Sequence, residues 1–361
     1  MACLFERVAS PTANGDAASR TPQPLSVCLS VATSSTVDGD VVSRAPVPLS
    51  VCLNGAAARS GCRLGFGTGG LLRIDSARER QNVLAAAVAN GITHFDTAPI
   101  YGFGESERAL GRFLGSRRNQ ITLTTKFGLL PSPLAMRLAP LQRLGRRALR
   151  LFPALRRAAV RGSGALYSAP DFQAAAVRSS LETSLRALRT DHVDFFLAHQ
   201  AAAAALPSEE VIDLLEDLRR SGKIVEFGVA TEFDWLLPVL SERPRLSQVV
   251  QFDSDLLSGH VAALAGTAAR LLITYGFINR TIIAVREKLR HAPGYAAELA
   301  ATDDDVLGGL LLRAAVLANP TGMTLMQSRS AGRIERNVRA AVTTLNDDRI
   351  QLLASLLDPP R

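Results

Sequence analysis

Eight short apolar runs, each followed by a helix-forming segment, constrain this chain more than any other feature of its sequence. The runs that read as strands are 64–67, 92–96, 121–126, 193–199, 225–230, 249–252, 271–275 and 323–328. Helical segments follow at 76–90, 105–114, 171–188, 208–221, 233–240, 261–269 and 304–318, with a last helix over 331–345. Leu84, Ala87, Val88 and Gly91 give the first helix an apolar stripe at the 3–4 spacing. Apolar strands alternating with amphipathic helices predict a parallel sheet covered on both faces. Eight such units predict a closed α/β barrel of the TIM (β/α)8 type rather than an open sheet.

The second, third and fourth runs each end in an ionisable residue: Asp96, Lys126 and His199. Asp96 opens the stretch Phe95-Asp96-Thr97-Ala98-Pro99-Ile100-Tyr101-Gly102-Phe103-Gly104-Glu105-Ser106-Glu107, which places Tyr101 on the loop beyond the second strand. This stretch and the ordered set Asp96, Tyr101, Lys126 and His199 resemble the aldo-keto reductase family over roughly residues 48–344. The resemblance implies an NAD(P)H-dependent carbonyl reductase or aldose dehydrogenase with an Asp-Tyr-Lys-His catalytic tetrad. Carbonyl reduction needs a proton donor, and an ordinary tyrosine has a pKa near ~10. A neighbouring Lys126 ammonium is expected to stabilise the Tyr101 phenolate and lower that value, with Asp96 holding the ammonium. His199 is expected to hydrogen-bond the substrate carbonyl.

The resemblance also implies a cofactor half-site. Gly67 and Thr68 match the first-strand turn, Gln251 the glutamine that holds the nicotinamide carboxamide, and Tyr275 the tyrosine that stacks on the ring. Gln327-Ser328-Arg329-Ser330-Ala331-Gly332-Arg333-Ile334-Glu335-Arg336-Asn337 matches the adenosine-phosphate motif through Ser328, Arg329, Arg333 and Asn337. A guanidinium suits the 2′-phosphate, so NADPH (NADP+) is expected ahead of NADH. The chain departs from the family where Ala230-Thr231 replaces Ser-Asn, where Gln327 replaces a lysine, and where Gln200-Ala201 follows the histidine. Substrates are expected among small carbonyl compounds or sugar lactols. The alternative function is a nucleotide-binding regulatory subunit with little turnover. The alternative architecture is an open Rossmann-type sheet, because Gly65-Phe-Gly67-Thr-Gly69-Gly70 fits a dinucleotide fingerprint with Asp96 as its acid.

Outside the alternation, residues 1–47 read as a flexible, low-complexity tail. Pro24-Leu-Ser-Val-Cys-Leu29 recurs as Pro48-Leu-Ser-Val-Cys-Leu53, and residues 39–54 repeat an earlier segment of the tail. The second copy, with Asn54-Gly55 as its turn, is expected to begin an N-terminal β-hairpin that plugs the barrel floor; residues 48–361 form the barrel domain. Long loops are expected on the C-terminal face, between Lys126 and residue 171 and between Tyr275 and residue 304. The first includes a basic insertion at about 131–168. Residues 137–161 of it hold eight arginines and no acid, which accounts for the formal net charge of +8. Basic character this local gives the rest of the chain no reason to bind nucleic acid. The insertion reads as a helical lid packing its leucines on the barrel rim; a phosphorylated substrate, an acidic partner or an anionic membrane surface are the other readings. All four cysteines precede residue 63 and show no metal-binding spacing, and no apolar run is long enough to span a bilayer. A cytoplasmic setting, no metal and no integral membrane segment are therefore expected.

Overall fold

The computed structural model describes residues 64–132, 169–202, 205–264, 266–292, 294–295, 299, 303–343 and 347–357. Strands β1 (Leu64–Gly67), β2 (His94–Asp96), β3 (Thr122–Phe127), β4 (Val193–His199), β5 (Ile224–Ala230), β6 (Val249–Asp253), β7 (Leu271–Tyr275) and β8 (Met323–Met326) pair in chain order. β8 then pairs with β1, so the sheet closes into a parallel barrel. Closure rules out the open-sheet alternative.

Alternation along each strand separates two cores. Phe195, Leu197, Ala230, Val249, Leu271, Ile273, Met323 and Leu325 pack together inside the barrel. Phe66, Phe95, Phe127, Phe196, Phe227 and Phe252 belong to the larger core beneath the helices. Strands buried on both faces are why the runs read as apolar without strict alternation. Gly228 lets β5 and β6 approach closely, since a Cβ there would sit 1.8 Å from the Val249 carbonyl oxygen.

The first helix, α1 (Ala77–Ala89), starts where the Ser76 hydroxyl accepts from the Glu79 amide. Its buried face is Arg80, Val83, Leu84 and Ala87. The stripe is thus rotated from the expected one: Val88 is only partly buried, and Gly91 lies exposed beyond the helix at φ +84°. Arg80 is buried because its guanidinium donates to the Ile74 carbonyl at 2.7 Å, a satisfaction that apolar spacing does not reveal. α2 (Glu105–Leu114) and α3 (Ala174–Leu188) touch so closely at Gly111 that a Cβ would lie 2.3 Å from the Ala187 oxygen. α4 (Glu209–Arg220) is capped by Ser208, and α5 (Phe233–Glu242) tolerates Pro238.

Three helical expectations change. The helix expected over 261–269 is a single turn, α6 (His260–Ala263), and Gly266 follows at φ +82°. The segment read as a loop after β7 contains α7 (Asn279–His291), which packs on α8 (Asp304–Ala318) and on a helix after the last expected one. That last expected helix is α9 (Ala331–Val342), and the extra one is α10 (Asp347–Leu357). Strand starts shift where amides are spent elsewhere. The Ile92 amide donates to Ala87 to close α1, so β2 begins at His94.

The expected tail, its repeat and the N-terminal hairpin lie outside the described residues, as does the arginine-rich segment 137–161. The neck of that insertion is described. The Asp171 amide donates to the Gly128 carbonyl at 2.9 Å, and Phe172 meets Phe127 edge to face at 6.0 Å. Gly128 has φ +97° and lies against the Phe172 ring, so a larger residue would open the neck. Among the described residues, no helix is long and apolar enough to cross a membrane.

His94 lies inside the barrel, 1% exposed, with Nδ1 2.9 Å from the Thr122 hydroxyl and Nε2 3.2 Å from that of Thr124. Burial, aided by the Lys126 charge, lowers its pKa to about 3. Below its unfolded pKa of ~6.5 the unfolded chain gains a proton that the folded chain refuses. This contribution to stability is therefore complete above that value and is lost as pH falls towards about 3. His199 acts in the same direction. His94→Gln should reduce the fall in unfolding free energy between pH 6 and 5 by roughly one proton's worth, ~1.4 kcal/mol per pH unit. Urea titrations at the two pH values test this, and an unchanged slope would refute it.

Candidate active site

The C-terminal mouth of the barrel is built from strand ends. Asp96 closes β2, and its backbone is fixed by the Thr68 amide at 2.9 Å and hydroxyl at 3.0 Å, both donating to the Asp96 carbonyl. On the adjacent strand, Lys126 stands one inward position above the residue paired with Asp96. Its ammonium donates to both Asp96 carboxylate oxygens at 2.8 Å, to the Thr97 carbonyl at 3.0 Å and to the Tyr101 hydroxyl at 3.4 Å. Lys126 and Asp96 are 2% and 3% exposed, so this charge pair is held almost entirely out of water.

The loop carrying Tyr101 is locally strained and anchored from outside the barrel. Gly102, Phe103 and Gly104 take positive φ values of 58°, 57° and 82° in succession. A Cβ at Gly102 would lie 2.0 Å from the Leu72 side chain, so glycine is needed there for both space and φ. Beyond the loop, α2 ties itself to β3 through the buried Glu107, which accepts from the Thr125 hydroxyl at 2.7 Å. Burial pushes the Glu107 carboxyl up. The Ser106 hydroxyl donates to the Thr68 carbonyl at 3.3 Å and joins the Tyr101 loop to the β1 turn.

His199 ends β4 with its ring edge-on to Tyr101 at 6.2 Å. Gln200 at φ 56° turns the chain away immediately afterwards. Burial, with Lys126 adding to it, holds the imidazole well below its ordinary pKa, so the ring is neutral. Its Nδ1 is buried and has no hydrogen-bond partner among the described residues. Burial also pushes the Tyr101 phenol up, and the Asp96 charge adds to the rise. This reverses the direction expected from the sequence. The ammonium sits closer to Asp96 than to Tyr101, so its charge is largely answered before it reaches the phenol. Lys126 itself is lowered by burial and partly held up by Asp96.

The side chains expected to meet a cofactor fall into two groups. Gln251, on β6, is 2% exposed, and its Nε2 donates to Asp96 Oδ2 at 2.9 Å. A carboxylate only accepts, so the amide nitrogen must face it; Oε1 is left buried and without a partner among the described residues. Thr68 and Gly67 border the same mouth at the end of β1, and Tyr275 at the end of β7 feels the charges of Asp253 and Asp96. Burial is the main cause that pushes the Tyr275 phenol up. Thr231, at the altered Ala230-Thr231 step, spends its hydroxyl on the Ala201 carbonyl at 2.8 Å.

The second group lies at the start of α9. Ser328 accepts from the Ser330 amide at 3.2 Å, and Ser330 caps α9 by accepting from the Arg333 amide. Arg329 and Arg333 are exposed there, with Asn337 half-buried one turn on. Arg333 Nε donates to Asp305 at 3.0 Å, and Arg336 pairs with the same carboxylate. The Asp305 pairing and the bond from Gln251 to Asp96 were not visible in the sequence. No fixed spacing links residue 305 to 333 or 251 to 96.

With this geometry established, comparison with known proteins places the chain. A family model for the aldo/keto reductase family matches residues 63–237. Over those residues the chain resembles the aldo-keto reductase family. Among curated relatives, 6-dehydroglucose reductase of Agrobacterium fabrum is 31% identical over 176 residues, 47% of this chain and 50% of that protein. D-threo-aldose 1-dehydrogenase of a Pseudomonas species is 44% identical over 85 residues, 22% of this chain and 26% of that protein. The matched stretches thus span half or less of these relatives' own lengths. A crystal structure of an aldo-keto reductase from Klebsiella pneumoniae in complex with NADPH has a TM-score of 0.56 at 20% identity. It covers 83% of this chain and 92% of that one, which shows a shared barrel.

Proposed function

We propose that this chain is an aldo-keto reductase, an NADPH-dependent oxidoreductase that reduces an aldehyde or ketone to an alcohol. The observation that supports the reading best is the buried Lys126 ammonium, in contact with both the Asp96 carboxylate and the Tyr101 hydroxyl. A nicotinamide supplies the hydride when bound. Gly67, Thr68, Gln251 and Tyr275 would hold it, and the orphaned Gln251 Oε1 suits a carboxamide N–H. Ser328, Arg329, Arg333 and Asn337 would hold the adenosine phosphate at the start of α9.

Tyr101 is the proton donor. Its raised pKa keeps the hydroxyl protonated, and an alkoxide forming on the substrate is a stronger base than a phenolate. Lys126 stabilises the phenolate left behind, and Asp96 keeps the ammonium in position. Neutral His199 beside Tyr101 donates a hydrogen bond to the carbonyl oxygen and fixes its orientation.

A second reading is favoured by the likeness to D-threo-aldose 1-dehydrogenase: the same groups run in reverse to oxidise a sugar lactol, Tyr101 then accepting the proton. One experiment addresses both. The full chain is titrated with NADPH and NADH, then assayed with NADPH against aldehydes and ketones and with NADP+ against aldoses. NADPH binding with turnover in either panel is the expected result. Binding without turnover in both would favour a nucleotide-binding regulatory chain, and no binding of either nucleotide would refute the oxidoreductase reading.

A further inference from the structure

At the start of α9, two guanidiniums converge on one carboxylate. Arg333 Nε donates to Asp305 Oδ1 at 3.0 Å, and Arg336 Nη2 donates to Asp305 Oδ2, so each oxygen takes one arginine. Arg333 and Arg336 are three residues apart and share one face of α9. Asp305 comes from the first turn of α8, where its amide is capped by Asp303 at 2.7 Å and its place is set by the packing of α8 on α9. The Arg336 hydrogen bond and the two positive charges hold the Asp305 carboxyl below its usual range.

To a guanidinium, a carboxylate and a phosphate monoester are the same kind of acceptor, a planar or trigonal set of anionic oxygens. Asp305 therefore already answers both guanidinium charges and takes a donor from each, in competition with a 2′-phosphate bound there. A phosphate carrying about −1.5 to −2 charges must displace this carboxylate or sit beside it, and both weaken binding. A ribose 2′-hydroxyl carries no charge and can donate a hydrogen bond to the same oxygens.

We propose that Asp305 is a specificity-determining residue: its carboxylate stands in for the 2′-phosphate at Arg333 and Arg336, and so narrows the preference of this chain for NADPH over NADH. This rests on the proposed placement of the adenosine phosphate at Arg333. Removing the charge frees both arginines for phosphate, whereas Asp305→Glu keeps an acceptor within their reach.

Equilibrium dissociation constants for NADPH and NADH, measured by calorimetry on the full chain, test the idea in Asp305→Asn, Asp305→Glu and Arg333→Ala. Asp305→Asn should tighten NADPH about tenfold, the scale of one partly screened charge, and leave NADH equal or weaker. Asp305→Glu should keep the wild-type ratio, and Arg333→Ala should weaken NADPH selectively. If Arg333→Ala weakens NADPH while Asp305→Asn leaves the ratio unchanged, Asp305 is only a link between α8 and α9 and the proposal is overturned. If Arg333→Ala leaves NADPH binding unchanged, the phosphate lies elsewhere and both readings fall.

Discussion

Replacing Tyr101 by phenylalanine is expected to lower kcat by about 10²–10⁴-fold, the usual contribution of a positioned proton donor. Cofactor affinity should stay within about a factor of three, because the variant keeps the ring and loses only the hydroxyl. That ring stands 5.0 Å from the Lys126 ammonium and edge-on to His199, and neither contact needs the oxygen. The Lys126 bond to the hydroxyl is the longest of its four, so its loss leaves Asp96 and Thr97 still holding the ammonium. Stability should therefore change little. Steady-state kinetics beside a cofactor titration separate the outcomes: equal turnover in both proteins would remove Tyr101 from the chemistry.

Lys126→Met should be more damaging, because it strikes stability and activity together. It leaves the Asp96 carboxylate buried, with Gln251 Nε2 as its remaining side-chain donor. Breaking a buried pair from one side costs roughly 3–5 kcal/mol, mostly from the uncompensated charge left behind. Turnover should fall at least as far as in Tyr101→Phe, since the phenolate loses its cation. Adding Asp96→Asn should restore much of the stability without restoring activity. The new amide can be accommodated because Gln251 can rotate its side-chain amide and offer Oε1 as an acceptor. Urea unfolding of both single variants and the double measures the coupling. Additive losses would show that the two charges do not depend on each other as their 2.8 Å contacts imply.

The contrast between these two variants follows from how the mouth is assembled. Asp96, Lys126 and Gln251 form one buried network in which each charge or dipole answers another, whereas Tyr101 borders that network on a strained loop. Burial dominates the electrostatics of all four ionisable groups considered for catalysis or ring stacking that show a shift: Tyr101, Lys126, His199 and Tyr275. Reasoning from a lysine next to a tyrosine predicts an acidified phenol. Once the loss of water and the carboxylate paired with the lysine are included, the direction reverses.

The sequence by itself determined the barrel and the ionisable residues placed at its strand ends. Apolar runs alternating with helices leave few other ways to bury both faces of a sheet, and recognising a run places the end of its strand to within two residues. Asp96, Lys126 and His199 were legible for that reason, and Tyr101 because it follows Asp96 at a fixed distance along one loop. The same local logic failed at α6, where the helix stops at Ala263 after one turn, and at α7, whose polar composition disguised a helix as a loop. Only the tertiary structure decided which groups share a charge. Asp305 reaches Arg333 and Arg336 from a different helix, and Gln251 reaches Asp96 across the barrel, 155 residues away in the chain. Contacts of this kind depend on closure of the sheet and on the packing of α8 against α9, and neither leaves a periodic trace in the chain. Electrostatics then depends on distance and burial together, which is why the protonation states of the mouth could be read only after the fold was known.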